Sequence, residues 1–411
     1  MANRLLTISD ITREALAVLH EECQLLKVCT RKYEDRFSKT GAKIGASVDV
    51  RKPAKYGVTN TANLTGAVQD SEEAFVTLSV DQRRSIGMNF SSEDLTLKIS
   101  DFSARFIKPA VARLAREVDL YIAEIILLEG IRQARANLTN DVSFDDVVDM
   151  NASLSTQFAA GDRRLFIDAK NDASIVKANK GLFQSSTQIS DQYEKGVMGV
   201  AGGFKFVETE SVPQITFSGT LTGGLVNGAT ANGATSIVMD TLAGTATAIK
   251  KGQAFTIAGV YQVDPETLTP NADLYTFIAQ ADETIVSPGT ATVPVKAIWA
   301  ADNAASAKAD VNLSTLPANN AAVAFLEGAA IAGSLGKLLA GVSKDAIAFA
   351  SVDLELPGVS KMEGRESYDG VSMRIVKTYD GLTDEGLYRL DLLFGAQILR
   401  PEHVVSVIGK V

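Results

Sequence analysis

Pro109-Ala-Val-Ala-Arg-Leu-Ala-Arg-Glu-Val-Asp-Leu-Tyr-Ile-Ala-Glu-Ile-Ile-Leu-Leu128 carries the strongest helical pattern in the chain. Val111, Leu114, Val118, Ile122 and Ile125 step by three and four, while Arg113, Arg116, Glu117 and Glu124 fall on other faces, the spacing of an amphipathic α-helix. Pro109 suits a first helical turn, where its missing N–H leaves nothing unpaired. At 1.5 Å per residue such a helix spans about 30 Å. Leu120, Tyr121, Ile126 and Leu127 widen its apolar face, so it is predicted to lie across a sheet.

Upstream, Ile8 to Tyr33 carries apolar residues at Ile11, Ala15, Val18, Leu19, Leu25, Leu26 and Val28 behind the capping candidates Ser9 and Asp10, which predicts a helical arm. Ala46-Ser-Val-Asp-Val50 alternates as a strand, then Arg51, Lys52, Pro53 and Lys55 open a polar Asn/Thr/Gly run to Ala67, read as a long exposed loop. Ala74–Val80 and Ser85–Phe90 read as a strand pair. Downstream come a helix capped near Ser143, a buried strand Arg164–Asp168, a polar looped region to Gly203 and a strand Phe204–Val207. From about Phe217 to Pro317 the chain turns Ala/Thr/Gly-rich and charge-poor, with short strand candidates at Ser236–Met239, Ala254–Ala258, Leu274–Ile278 and Val293–Trp299. These predict an inserted all-β barrel or sandwich. A helix-prone stretch to Leu339 follows, then strands at Ala346–Ala350, Ser372–Val376, Tyr388–Phe394 and Val404–Ile408. The class is α+β with an all-β insertion.

The 411 residues exceed what one hydrophobic core organises. A net charge of -9 argues against affinity built on neutralising phosphates. Two cysteines, Cys23 and Cys29, make no disulfide framework. Met1–Asp10 is too polar for a signal-peptide core, and the longest apolar stretch, Ala321–Val342, holds Glu327, Lys337 and four glycines. That stretch reads as buried helical segments rather than a membrane span, so the expected place of synthesis is the cytoplasm.

Catalytic constellations are thin. His20, Cys23 and Cys29 supply three soft ligands, but no local fourth, and helical spacing puts Cys29 on another face; packed residues are the expectation. Ser174-Ile-Val-Lys177 and Ser334-Leu-Gly-Lys337 match a Ser-x-x-Lys pattern short enough to recur by chance. His403 lies beside the Pro401-Glu402 turn. Gly196, Gly199, Gly202 and Gly203 lack a strand–turn–helix frame and a Gly-Lys-Ser/Thr sequence, so a flexible loop is expected in place of a phosphate cradle. Asp145 and Asp146 read as a helix start, and Asp168 and Asp172 as a solvated turn. No enzyme activity, metal or cofactor is predicted.

Three local patterns carry a resemblance. Ser92-Glu-Asp-Leu95 leads toward Ala112-Arg-Leu-Ala115 and Val118; Lys250-Lys-Gly-Gln-Ala-Phe-Thr-Ile-Ala-Gly-Val260 forms a turn and strand; Phe394-Gly-Ala-Gln-Ile-Leu-Arg-Pro-Glu402 ends the chain's last quarter. In this order, with arm, loop, long helix, mixed domain and β insertion, they resemble the P-twenty-two-like coat family of tailed double-stranded DNA phages, with the Hong Kong ninety-seven capsid fold. The resemblance implies an arm (1-40), an extended loop with flanking strands (41-90), a peripheral domain (91-139 and 366-411), an axial domain (140-216 and 318-365) and an inserted β-barrel domain (217-317). It implies a major capsid protein forming pentamers and hexamers of an icosahedral shell, assembled in the bacterial cytoplasm through an expanding procapsid. The implied partners are further copies of itself, a scaffolding protein, a portal and non-specifically packaged DNA, with no membrane. Arg31, Lys32, Arg51, Lys52 and Lys55 are the expected subunit-interface residues. Asp240 joins them as the charged residue of the 225–248 region, where family members pair across two-fold axes. An encapsulin-like compartment shell or a flagellin-like filament subunit are the alternative readings, and a serine hydrolase a distant third.

Overall fold

The computed structural model describes residues 8–32, 47–52, 75–91, 103–133, 141–159, 161–179, 199–265, 267–286, 289–300, 311–330, 332–356, 358, 363–381 and 385–410. Lys55 and its loop, Ser92–Leu95 and Gly196 lie outside these residues. The chain folds into two compact units: residues 1–50, 77–122 and 347–399, and residues 51–76, 123–346 and 400–411.

The first unit pairs helices with an antiparallel sheet. Helix α1 spans Ile8–Glu22 and is followed by a 3-10 turn, Leu25–Val28; Ser9 and Asp10 fall inside the first turn of α1 rather than before it. Helix α2, Lys108–Glu129, follows a π-helical turn and begins one residue ahead of Pro109. The long strand Glu385–Ile398 is the spine of the sheet. It pairs with Gln82–Ser91 on one side, and with Val371–Asp380 and Ile347–Ser351 on the other. Glu363–Tyr368 extends the sheet beyond Val371–Asp380. Val111, Leu114, Ala115, Val118 and Ile122 of α2 are buried, and Tyr121 meets Phe394 edge-on at 5.5 Å. Each large aliphatic side chain buried this way stabilises by about 1.5–3 kcal/mol. Ser47–Arg51 pairs with Phe75–Ser79, and Val48, Val50, Leu78 and Val80 pack with Ala348 and Ala350. That layer needs glycine at 395, because a Cβ there would stand 1.8 Å from the Ser79 carbonyl oxygen.

The second unit is built on a sheet ordered Ile131–Arg132, Val404–Lys410, Leu335–Ser343, Arg163–Ile167, Phe204–Glu208 and Val200–Ala201, with Gln214–Thr216 also pairing to Leu335–Ser343. Helices α3 (Phe144–Thr156) and α4 (Ala169–Asn179) bury Val147, Met150, Leu154 and Ile175 with Leu165, Ile167, Phe204, Leu339 and Val405. A full capping box, with Ser143 and Asp146 exchanging bonds, starts α3 as expected.

Two expectations are overturned here. The stretch to Leu339 is not helical: Leu335–Ser343 is a strand near the centre of the sheet. It is buried almost throughout, so it lacks polar–apolar alternation and reads like a buried helix. The region after Asp168 is not looped at first: α4 forms there, burying Ile175 with Val176 only partly covered, too thin a stripe to show as a period. The pairing also differs from the implied partition, since Ile347–Ser351 joins the first unit's sheet and Val404–Lys410 the second's.

Residues from about Leu221 to Phe325 form short antiparallel strands, including Ser236–Asp240, Ala254–Val263, Pro270–Ile278 and Ala291–Pro294. They enclose their own core of Ile237, Met239, Phe255, Ile257, Phe277, Val293 and Leu313. The strand expected to run to Trp299 ends at Pro294.

Arg132 joins this module to the end of α2 and the sheet. Its side chain is fully buried; Nη2 donates to the carbonyls of Leu127 (3.0 Å) and Gly252 (3.3 Å), and Nη1 lies 3.6 Å from Glu327. Glu327 accepts from the Ala254 amide at 2.9 Å. Gln280 donates to the Leu128 carbonyl, and Lys251 and Lys296 pair with Glu124 and Glu129. Burial pulls Arg132 down and pushes Glu327 up, each opposed by the other's charge. Arg132→Ala, which strands Glu327, is expected to lower unfolding free energy by about 3–5 kcal/mol. Replacing both partners by methionine is expected to cost less than that single change, as urea unfolding of the full chain will measure.

Candidate functional site

The residues that suggested chemistry are each occupied structurally. Ser174 donates to the Lys170 carbonyl within α4, and Lys177 is exposed. Ser334 immediately precedes a strand, where positions three apart take opposite faces, and Lys337 bonds Glu210 at 2.7 Å. His403 is buried, which lowers its pKa. Gly202 and Gly203, both at positive φ, are the two-residue turn between Val200–Ala201 and Phe204–Glu208. That turn is a hairpin, in place of the flexible loop expected. Cys23 and Cys29 are buried and donate to the Ala115 and Leu25 carbonyls; burial pushes both thiols up. Among the described residues no three His, Cys, Asp or Glu side chains are grouped to hold a metal.

The built polar sites lie elsewhere. In the first unit His20 and Arg31 converge on Asp369, a residue at positive φ in the tight turn between Glu363–Tyr368 and Val371–Asp380. Arg31 also donates to the Leu26 carbonyl. Asp119, buried in α2, accepts the Gln24 amide at 2.7 Å and the Leu26 amide at 3.3 Å, and so caps the 3-10 turn that follows α1. Burial pushes its carboxyl up to about 6 against those bonds. The N-terminal segment is therefore held by side chains reaching from distant sequence.

Asp391 sits fully buried on the sheet between Ser85, Arg83, Arg374 and Arg389. Register explains the cluster: Asp391 lies opposite Ser85 on one neighbouring strand and Arg374 on the other. Burial alone would raise its pKa, but Arg374, Ser85 and Arg389 more than offset this and hold it at about 2.

Of the expected interface residues, Arg31 is committed to Asp369 within its own unit. Lys32 is exposed beside it. Arg51 is exposed at the end of Ser47–Arg51, Lys52 is half-buried just beyond, and Lys55 lies outside the described residues. Asp240 is half-buried at the end of Ser236–Asp240. These positions do not come together into one site. Sequence reading passed over Asp119, Asp369 and Asp391; only Asp119 left a signal, as a lone acid between Val118 and Ile122 on the apolar face of α2.

Asp391→Asn is expected to lower unfolding free energy by about 2 kcal/mol at pH 7. The folded carboxyl titrates below its unfolded value, so its contribution is present above about pH 4 and is lost as pH falls toward 2. The gap between wild type and variant in denaturant titrations should close over that window.

A protein-family model described as P22 coat protein, gene protein 5, matches residues 32–409. A comparison with curated proteins finds no match. Among solved structures the chain is similar to one from Mycobacterium phage Che8, at 11% identity and a TM-score of 0.47, covering 94% of this chain and 90% of that one. It is also similar to the capsid of Ralstonia phage GP4, at 7% identity and a TM-score of 0.48, covering 93% and 87%.

Proposed function

The chain belongs to the P22 coat protein family, and from that membership we propose that it is the major capsid protein of a tailed double-stranded DNA phage, the repeated subunit of the shell around the genome. The family match over residues 32–409 carries the reading. The protein acts by association and has no catalytic step.

In this reading the sheet around Glu385–Ile398 with α2 is the peripheral domain, the sheet around Leu335–Ser343 with α3 and α4 is the axial domain, and the β module is the insertion. The N-terminal arm (1-40) and the extended loop (41-90) are the proposed contacts with neighbouring subunits, with Arg31, Lys32, Arg51, Lys52, Lys55 and Asp240 as the interface residues. Many modest contacts per subunit add up to a stable lattice. Each is weak enough to let a misplaced subunit leave. A scaffolding protein, a portal and packaged DNA complete the proposed set of partners, and assembly takes place in the host cytoplasm.

Expression with and without the neighbouring genes, followed by negative-stain electron microscopy, tests the proposal. Closed, uniform polyhedral shells, alone or with a scaffold, are the expected product. Monomers under both conditions, or helical filaments, would refute it. Ser174→Ala and Ser334→Ala are expected to leave shell yield unchanged.

A further inference from the structure

We propose that Asp172, buried beside Asp168, takes up a proton and thereby ties the cohesion of the second unit to pH. Asp168 ends the strand Arg163–Ile167, and Asp172 follows one helical turn later in α4, its amide donating to the Asp168 carbonyl. The sequence suggests a solvated turn, yet Asp168 is 0% and Asp172 3% exposed. Asn171 donates to Asp168 Oδ1, but Asp168 Oδ2 and Asp172 Oδ1 are buried without a hydrogen-bond partner.

The charges around them do not cancel. Glu208, from the end of Phe204–Glu208, and Glu210 add two more carboxylates on this side. Lys337 of Leu335–Ser343 is the cation facing them, and it lies nearer Glu210 (2.7 Å) than Asp168 (3.8 Å). The strand Val404–Lys410 brings Gly409 against Asn171, and alternation turns Lys410 to the opposite face. Among the described residues, two buried and two exposed carboxylates thus face the ammonium group of Lys337, with two buried oxygens lacking a donor. A proton on Asp172 removes one charge and turns its carboxyl into a donor.

Burial, then Glu208 and Asp168, push the Asp172 carboxyl up to about 6. A carboxyl that holds its proton more tightly when folded adds stability as pH falls through about 6 toward 4, and withholds it above 6. The effect is independent of what the subunit assembles into.

The test is urea unfolding of the full, unassembled chain at pH 8 and pH 4.5, followed through Trp299, the single tryptophan and a residue of the second unit. Asp172→Asn is expected to raise the folding equilibrium constant at pH 8 roughly tenfold or more over wild type, with the difference shrinking toward pH 4.5. Glu208→Gln, which removes the neighbouring charge that raises Asp172 most, should move in the same direction, and decides the matter if the first variant does not fold. Variants no more stable than wild type at pH 8, or a gap that does not change with pH, would overturn the proposal. Stabilisation of wild type, but not of Asp172→Asn, by millimolar calcium or magnesium would overturn it too, by showing a cation where a proton is proposed.

Discussion

Arg132 places a guanidinium where water cannot reach it, at the meeting of three parts of the second unit. Its backbone extends the sheet beside Ser406, while its side chain reaches the Leu127 carbonyl in the last turn of α2, the turn at Gly252 and the carboxylate of Glu327. Removing such a charge from water costs several kcal/mol, and only well-placed partners offset it. If the β module shifted by an ångström or two, the guanidinium would lose acceptors it cannot replace. Nε and Nη1 are buried without a hydrogen-bond acceptor, so the offset is incomplete: the pair adds little net stability, yet separating it would leave a buried charge uncompensated.

Two acidic clusters, one in each unit, handle charge in opposite ways. The first surrounds a buried acid, Asp391, with three arginines and a serine, so that the carboxylate is held ionised deep into acid. The second crowds Asp168, Asp172, Glu208 and Glu210 around Lys337, so that a carboxyl is pushed toward its neutral form. A fall in pH thus leaves the first cluster intact until strongly acid conditions, while the second responds near pH 6. Net charge, at -9 for the whole chain, conceals this asymmetry.

Much of the fold was legible because its elements are one-faced. Helix α2 shows its stripe, and the strands at Gln82–Ser91, Arg163–Ile167 and Val371–Asp380 begin or end within a few residues of where β-branched and aromatic residues place them. Leu335–Ser343 failed because burial on both faces erases the alternation that identifies a strand. Helix α4 failed for the opposite reason, having too little apolar surface to mark a face. The polar sites were less readable still. His20 and Arg31 meet Asp369 more than three hundred residues away, and nothing in their local sequence announces that partner. Asp168 and Asp172 sit in a polar run that looks solvated, and only the sheet and helix closing over them make them buried acids.

The first unit is assembled from three separated stretches, residues 1–50, 77–122 and 347–399. Its central strand, Glu385–Ile398, is made long after Gln82–Ser91, which must pair with it, and after Tyr121, which packs against it. On a ribosome adding roughly 5–20 residues per second, the apolar face of α2 waits on the order of ten seconds or more for the sheet that covers it. During that wait the growing chain presents a long greasy helix and an unpaired strand edge, both invitations to premature association. Residues 123–346, which make up most of the second unit, emerge in that interval, but its sheet too stays open until Val404–Lys410 arrives. The order of the segments along the chain thus makes this coat subunit late-closing, because the sheet that covers α2 is completed only by a strand far downstream of it.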